Sequence, residues 1–186
     1  GQKDKATTGY GGVITIENEL PLGKGMGSST ALIIALCRCM IGSDSEKIAL
    51  EIENEMNPGH SGIDFAVIWE EKPILFSKDT IPEAIDLPKD LLLNMRLIDT
   101  GKPNEATPEL VAWVRTRYEA GKIDVRKAIE TIGTCTERML AGEPMKDVLR
   151  DHHQAQIALG VVPENAQKII AEIEKNGGAA KIIGAG

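Results

Sequence analysis

Aromatic side chains are scarce in this chain, with two Phe, two Tyr and two Trp among 186 residues. That shortage removes the stacked-ring platforms on which single-strand nucleic-acid binders hold bases. Positive charge is also in deficit: 21 Lys and Arg stand against 28 Asp and Glu, a formal net charge of −7. Such a balance excludes a protein that wraps nucleic acid or lies on an anionic membrane. No apolar run reaches the ~20 residues of a membrane span, and the longest, residues 31–41, is interrupted by Arg38. No signal-peptide pattern is visible. Cys37, Cys39 and Cys135 lack the paired spacing of a disulfide framework or a zinc site, so they read as reduced thiols in or near a core. The expectation is a soluble, cytoplasmic protein.

What is present suits a packed globule. With 42% hydrophobic and 26% charged residues, the composition is that of a folded soluble chain. A chain of this length buries roughly 70% of the surface it exposes when unfolded, enough for one good-sized domain or two small ones.

Periodicity and punctuation divide the chain. The β-branched residues 13–16 predict a strand. Residues 30–40 are apolar almost all round and predict a helix buried in the core. Ser43 and Glu46 have capping-box spacing and predict a helix to about Met56, stopped by Pro58 and Gly59. Residues 65–68 and 74–76 predict a hairpin, and residues 81–88 a linker. Beyond it, residues 95–99 predict a strand. Thr107, with Pro108 after it, predicts a helix ending near Gly121. Further helices are expected over 124–140, 145–159 and 164–175, the last closed by Asn176, Gly177 and Gly178, then a strand at 180–183. Two small mixed α/β halves result, 1–88 and 89–186.

The most informative stretch is Gly23, Lys24, Gly25, Met26, Gly27, Ser28, Ser29 and Thr30. Glycines at alternate positions permit positive φ and let backbone N–H groups converge on an anion. The helix that comes next brings its positive end to the same point, and three hydroxyls add phosphate or metal ligands. The loop is not a P-loop, which needs lysine where Ser28 stands, nor a dinucleotide fingerprint, which needs a third glycine there. A plain Gly-Ser turn is the bland alternative.

Two carboxylates come after it. At ~100° per residue, Glu53 falls inside an apolar arc of its helix, between Ala49 and Leu50, whereas Glu51 and Glu55 fall outside it. A buried carboxylate needs a partner, and magnesium is one such partner; a lysine is another. Asp64 comes after the turn of Pro58, Gly59, His60, Ser61 and Gly62 and precedes an expected strand, a position that points into a cleft. Capping the turn is its simpler role. His152 and His153 are adjacent, so on a helix they point ~100° apart and do not chelate one ion together; they read as a satisfied pair. Cys37 and Cys39 read as core filler.

These motifs resemble those of the GHMP kinase superfamily. Residues 21–31 are similar to its phosphate loop, P-x-G-x-G-L-G-S-S-[AS]-A, with Met26 for Leu and Thr30 for a smaller residue. Ser61, Gly62, Ile63 and Asp64 are similar to the S-G-x-D of mevalonate kinases, which also carry a glutamate eleven positions earlier, the place of Glu53. Residues 177–186 look like the third signature, K-[LI]-[TS]-G-A-G-G-G-G, with Ile183 for Thr or Ser. The turn departs from the usual H-G-x-P-S-G, reading Asn57, Pro58, Gly59, His60, Ser61, Gly62.

The resemblance implies an α+β, two-lobed fold with a ferredoxin-like C-terminal lobe. The N-terminal domain, 1–88, is expected to be incomplete, since the first family signature belongs upstream of Gly1. It implies an ATP-dependent small-molecule kinase nearest to the mevalonate kinases, with Asp64 as catalytic base. Ser29 and Glu53 would hold Mg2+. Residues 23–30 with Gly184, Ala185 and Gly186 would bind the nucleotide, and His60, Ser61 and Gly62 the small hydroxy acid. A homodimer is compatible with it. The alternatives are another GHMP kinase, acting on phosphomevalonate, homoserine or threonine; a nucleotide-binding homologue without turnover; and an unrelated acidic α/β module.

Overall fold

The computed structural model describes residues 13–19, 25–87, 91, 93–101 and 107–184, the side chains at 107 and 108 excepted. Seven α-helices and one two-stranded sheet are described: α1 (Ser28–Ile41), a 3₁₀ turn (Ser43–Ser45), α2 (Glu46–Met56), α3 (Ile63–Glu70), β1 (Ile74–Leu75), β2 (Glu83–Ala84), α4 (Thr107–Glu119), α5 (Ile123–Leu140), α6 (Met145–Leu159) and α7 (Glu164–Lys175). The mixed helix and sheet content agrees with an α+β class, with helix dominant.

α1 runs as expected but is not buried all round. Thr30, Ile33, Ile34 and Cys37 form its buried stripe at i, i+3, i+4 and i+7, while Leu32, Met40 and Ile41 are exposed. Cys39 lies on the exposed side too, so only Cys37 and Cys135 are the core thiols expected of the three. Ile33, Ile34 and Cys37 pack with Ala49 of α2 and Phe65 of α3, flanked by Ile68 and Trp69. Each large aliphatic side chain fully buried this way stabilises the fold by ~1.5–3 kcal/mol. Arg38 ties α1 to α3: its guanidinium lies 4.4 Å over the Trp69 ring, donates to the Trp69 carbonyl at 2.9 Å and pairs with Glu71.

The expected capping box does not form. Residues 43–45 make a 3₁₀ turn, and α2 starts at Glu46 with Ser45 before it and no side-chain cap. Ser43 is used instead toward its neighbour Asp44. Residues 65–68 are helix, not strand, because a short apolar run fits either state and the Gly62 entry (φ 88) with Asp64 in the first turn favours a helix. The hairpin is therefore displaced: β1 pairs antiparallel with β2, Ile74 opposite Ala84 and Leu75 opposite Glu83. A strand thus occupies part of the expected linker. Residues 13–16, 95–99 and 180–183 have no strand assignment, since no described strand pairs with them and an unpaired strand gains no ladder bonds.

The second half packs around α5 and α6, the most extensive helix pair. Val125 and Ala128 meet Ala155 and Leu159, with Val114 of α4 alongside. Val162, Ala166, Ile170 and Ile182 make a further cluster under α7. Residues 180–183 stay close to α6 without strand pairing, because side chains bind carbonyls of this tail. Gln156 donates to Ile182 at 3.2 Å, Arg150 to Gly178 at 2.7 Å and Lys146 to Gly177 at 2.8 Å.

Candidate active site

The start of α1 is bare of caps. Gly27 sits at its N-cap with φ 66 and supplies no side-chain bond, and the first turn holds no acidic residue. The first helical N–H groups of Ser28, Ser29 and Thr30 have no intrahelical partner, since the α-helical ladder opens with Ala31 donating to Gly27 at 2.9 Å. A helix end with open donors and a positive dipole is suited to an anion such as phosphate.

Two glycines allow neighbours to approach this end. A Cβ on Gly27 would stand 3.5 Å from both Cβ and Cγ of Asp64 and 3.1 Å from Ile68 Cδ1. A Cβ on Gly25 (φ 70) would meet the Ile183 carbonyl oxygen at 3.6 Å and Gly184 Cα at 3.7 Å. The glycine loop, the acid at 64 and the C-terminal glycine tail are therefore brought together. Gly23, Lys24, Ala185 and Gly186 lie outside the described residues.

Asp64 is exposed in the first turn of α3, not at a strand edge, so the N-termini of two helices meet beside its carboxylate, an arrangement that suits negative charge. An exposed carboxylate beside an anion cradle can take a proton from a hydroxyl held there. Gly62 (φ 88) starts α3, and the Ser61 hydroxyl accepts the Ile63 N–H at 3.3 Å. His60 Nε2 lies 2.8 Å from Asn54 Oδ1, which anchors the turn back onto α2.

Glu53 is 2% exposed, as its place on the apolar arc predicts. Thr30 Oγ1 donates to its Oε1 at 2.9 Å, and Asn57 Nδ2 donates to the same oxygen at 2.9 Å. Oε2 is buried with no hydrogen-bond partner. Thr30 is thus the hydroxyl that touches Glu53, while Ser29, one residue away, is exposed. Asn57 is a site residue that motif reading misses, although its i, i+4 spacing from Glu53 is the one at which helical side chains meet. Among the described residues no three His, Cys, Asp or Glu side chains form a metal cluster. A free buried carboxylate oxygen with hydroxyls on the adjoining turn nonetheless suits magnesium, which takes one or two carboxylates and completes its shell with water and substrate phosphates.

His152 and His153 take no part in this site. Burial pushes both imidazoles below their ordinary range, with the nearby Lys181 adding to the shift at His152 and Glu174 opposing it at His153. Burial likewise lowers Lys181, whose Nζ donates to the Ile182 carbonyl at 3.0 Å. No described helix is long and apolar enough to cross a membrane.

Residues 2–70 match the GHMP kinases N terminal domain. A mevalonate kinase of Archaeoglobus fulgidus is 28% identical over 187 aligned positions, which cover 95% of this chain and 63% of that protein. The chain therefore spans less than two thirds of that relative's length. No solved structure matches. The first part of the chain thus resembles the N-terminal domain of the GHMP kinases, and the chain over most of its length resembles this mevalonate kinase.

Proposed function

We propose that this chain transfers the γ-phosphoryl group of ATP to a hydroxyl of a small hydroxy acid, in the manner of a mevalonate kinase. The observation that carries the proposal is that one turn of α1 touches both acids, Gly27 lying against Asp64 and Thr30 bonded to Glu53. In the transfer, the substrate oxygen bonds to the γ-phosphorus, the bond from that phosphorus to the β-bridging oxygen breaks, and the hydroxyl proton passes to Asp64. The open N–H groups of α1, residues 23–30 and the tail at Gly184, Ala185 and Gly186 bind the phosphates. Positioning and charge stabilisation do most of the work in such a reaction. Ser29 and Glu53 hold magnesium, which when bound neutralises phosphate charge. His60, Ser61 and Gly62 border the substrate. Residues 1–88 and 89–186 are the two domains, working in the cytoplasm.

The turn of Asn57, Pro58, Gly59, His60, Ser61 and Gly62, which departs from the usual H-G-x-P-S-G, favours a second substrate choice within the same superfamily. Phosphomevalonate, homoserine and threonine are the candidates. The test is phosphate transfer from ATP to a panel of these four hydroxy compounds, with Asp64→Asn alongside. Turnover of one of them, reduced ~10²–10⁴-fold in the variant, is the expected result. Nucleotide binding with no transfer to any of the four would leave a binding homologue instead.

A further inference from the structure

Glu53 presents its two oxygens unequally. Oε1 accepts from Thr30 and from Asn57, each at 2.9 Å, while Oε2 is buried and accepts nothing. Turning the carboxylate plane away would break both bonds, so the group is held in one orientation with its second oxygen unbonded. The clamp comes from two elements: Thr30 from the first turn of α1, Asn57 from the residue that closes α2. Asn57 also shapes the turn after that helix. Its N–H donates to the Glu53 carbonyl at 2.8 Å, and its own carbonyl accepts the His60 N–H at 3.2 Å. The same residue therefore ends α2, holds the Glu53 carboxylate and opens the turn that leads through His60, Ser61 and Gly62 to Asp64.

We infer that Asn57 is a positioning residue that aims Glu53 Oε2 at a nucleotide-bound divalent cation and ties it to the turn before Asp64. This rests on the phosphotransferase proposal, in which Glu53 holds the cation. The physical ground is general: groups that orient a metal-ligating carboxylate set its affinity, and their loss costs about 10–100-fold. Asn57→Leu keeps the approximate shape and removes the donor. Asn57→Asp replaces the donor with an acceptor and sets two carboxylates against each other. Asn57→Gln keeps the donor on a longer arm.

The experiment measures Mn2+ binding to the full chain with a non-hydrolysable ATP analogue, by the electron paramagnetic resonance signal of free manganese. Affinity for the analogue without metal and thermal melting are recorded in parallel. In the expected outcome the wild-type chain binds Mn2+, and Asn57→Leu and Asn57→Asp bind it about 10–100-fold more weakly. Asn57→Gln falls between, and metal-free analogue affinity is unchanged. A purely structural Asn57 would move the melting temperature and leave the manganese affinity of the folded variants untouched. Should one variant fail to fold, the comparison of the other with Asn57→Gln carries the test. Wild-type manganese affinity in every folded Asn57 variant overturns the inference alone. A wild-type chain that binds the analogue but no Mn2+ overturns the cation role of Glu53, and the inference with it.

Discussion

Gly25 and Gly184 lie against each other: a Cβ on Gly184 would stand 3.5 Å from the Gly25 Cα. Both have positive φ, 70 and 60, a region that side chains make costly. Two glycine-rich segments from opposite ends of the chain thus close on the start of α1, and the helix α6 holds the second in place through its contacts with residues 177–182.

At Gly27 the backbone has φ 66, and an added Cβ would approach Ile68 Cδ1 to 3.1 Å. Gly27→Ala is expected to cost ~1–2 kcal/mol for the left-handed conformation alone and to push the loop away from Asp64. Urea unfolding reads the first effect and calorimetric titration with ATP the second. A variant with wild-type values in both would show that the close approach to Asp64 has no consequence.

Thr30→Val keeps the shape of the side chain and removes the donor to Glu53 Oε1. Losing a buried hydrogen bond to a carboxylate is expected to destabilise the fold by ~1.5–3 kcal/mol, with Thr30→Ser retaining most of it. Chemical denaturation of the three proteins checks this; equal midpoints for Val and Thr would contradict it.

Gln156 is buried and its amide reaches the Ile182 carbonyl at 3.2 Å. Gln156→Leu leaves that carbonyl without this donor, at a cost of ~0.5–1.5 kcal/mol, and loosens the tail that bears Gly184. The expected signature is weaker ATP binding by calorimetry at temperatures where the chain is still folded. If affinity holds while stability drops, Gln156 serves the fold only.

His153 is 2% exposed, and burial holds its imidazole below the ordinary 6.5, with Glu174 opposing. A base with depressed folded affinity for protons is neutral in the fold, whereas the unfolded chain protonates first as pH falls. Its stabilising contribution is therefore present above about pH 6.5 and lost below it, at most ~1.4 kcal/mol per pH unit for one proton. His152 shifts in the same direction. Urea midpoints at pH 7.5 and pH 5 measure the loss, and His153→Gln should flatten the slope. An unchanged slope would assign the pH dependence to other groups.

Helix positions were legible because their signals are local. The span of α1, the stop at Pro58 and Gly59 and the spans of α5, α6 and α7 all sit close to where spacing and turn residues place them, although α1 is buried along one stripe only. The burial of Glu53 was legible for the same reason, since angular position on a helix is set by residue number. The extended segments were not. Residues 13–16, 65–68, 95–99 and 180–183 are short stretches rich in apolar residues, and a strand exists only if another segment supplies the ladder. No described segment does so for these four, and the 65–68 run is drawn into α3 by Gly62 and Asp64.

Composition and order thus determined a folded, acidic chain, most of its helices, a glycine-serine loop before an apolar helix and a carboxylate on a greasy face. Which atoms meet was decided only by tertiary packing. Thr30 rather than Ser29 reaches Glu53, Asn57 completes the clamp, and Gly27 and Gly25 admit Asp64 and the distant tail. The reason is geometric: spacing along a helix sets the direction of a side chain to within a turn, but the 23-residue separation of Thr30 and Glu53 is bridged only when α1 and α2 pack on a shared core.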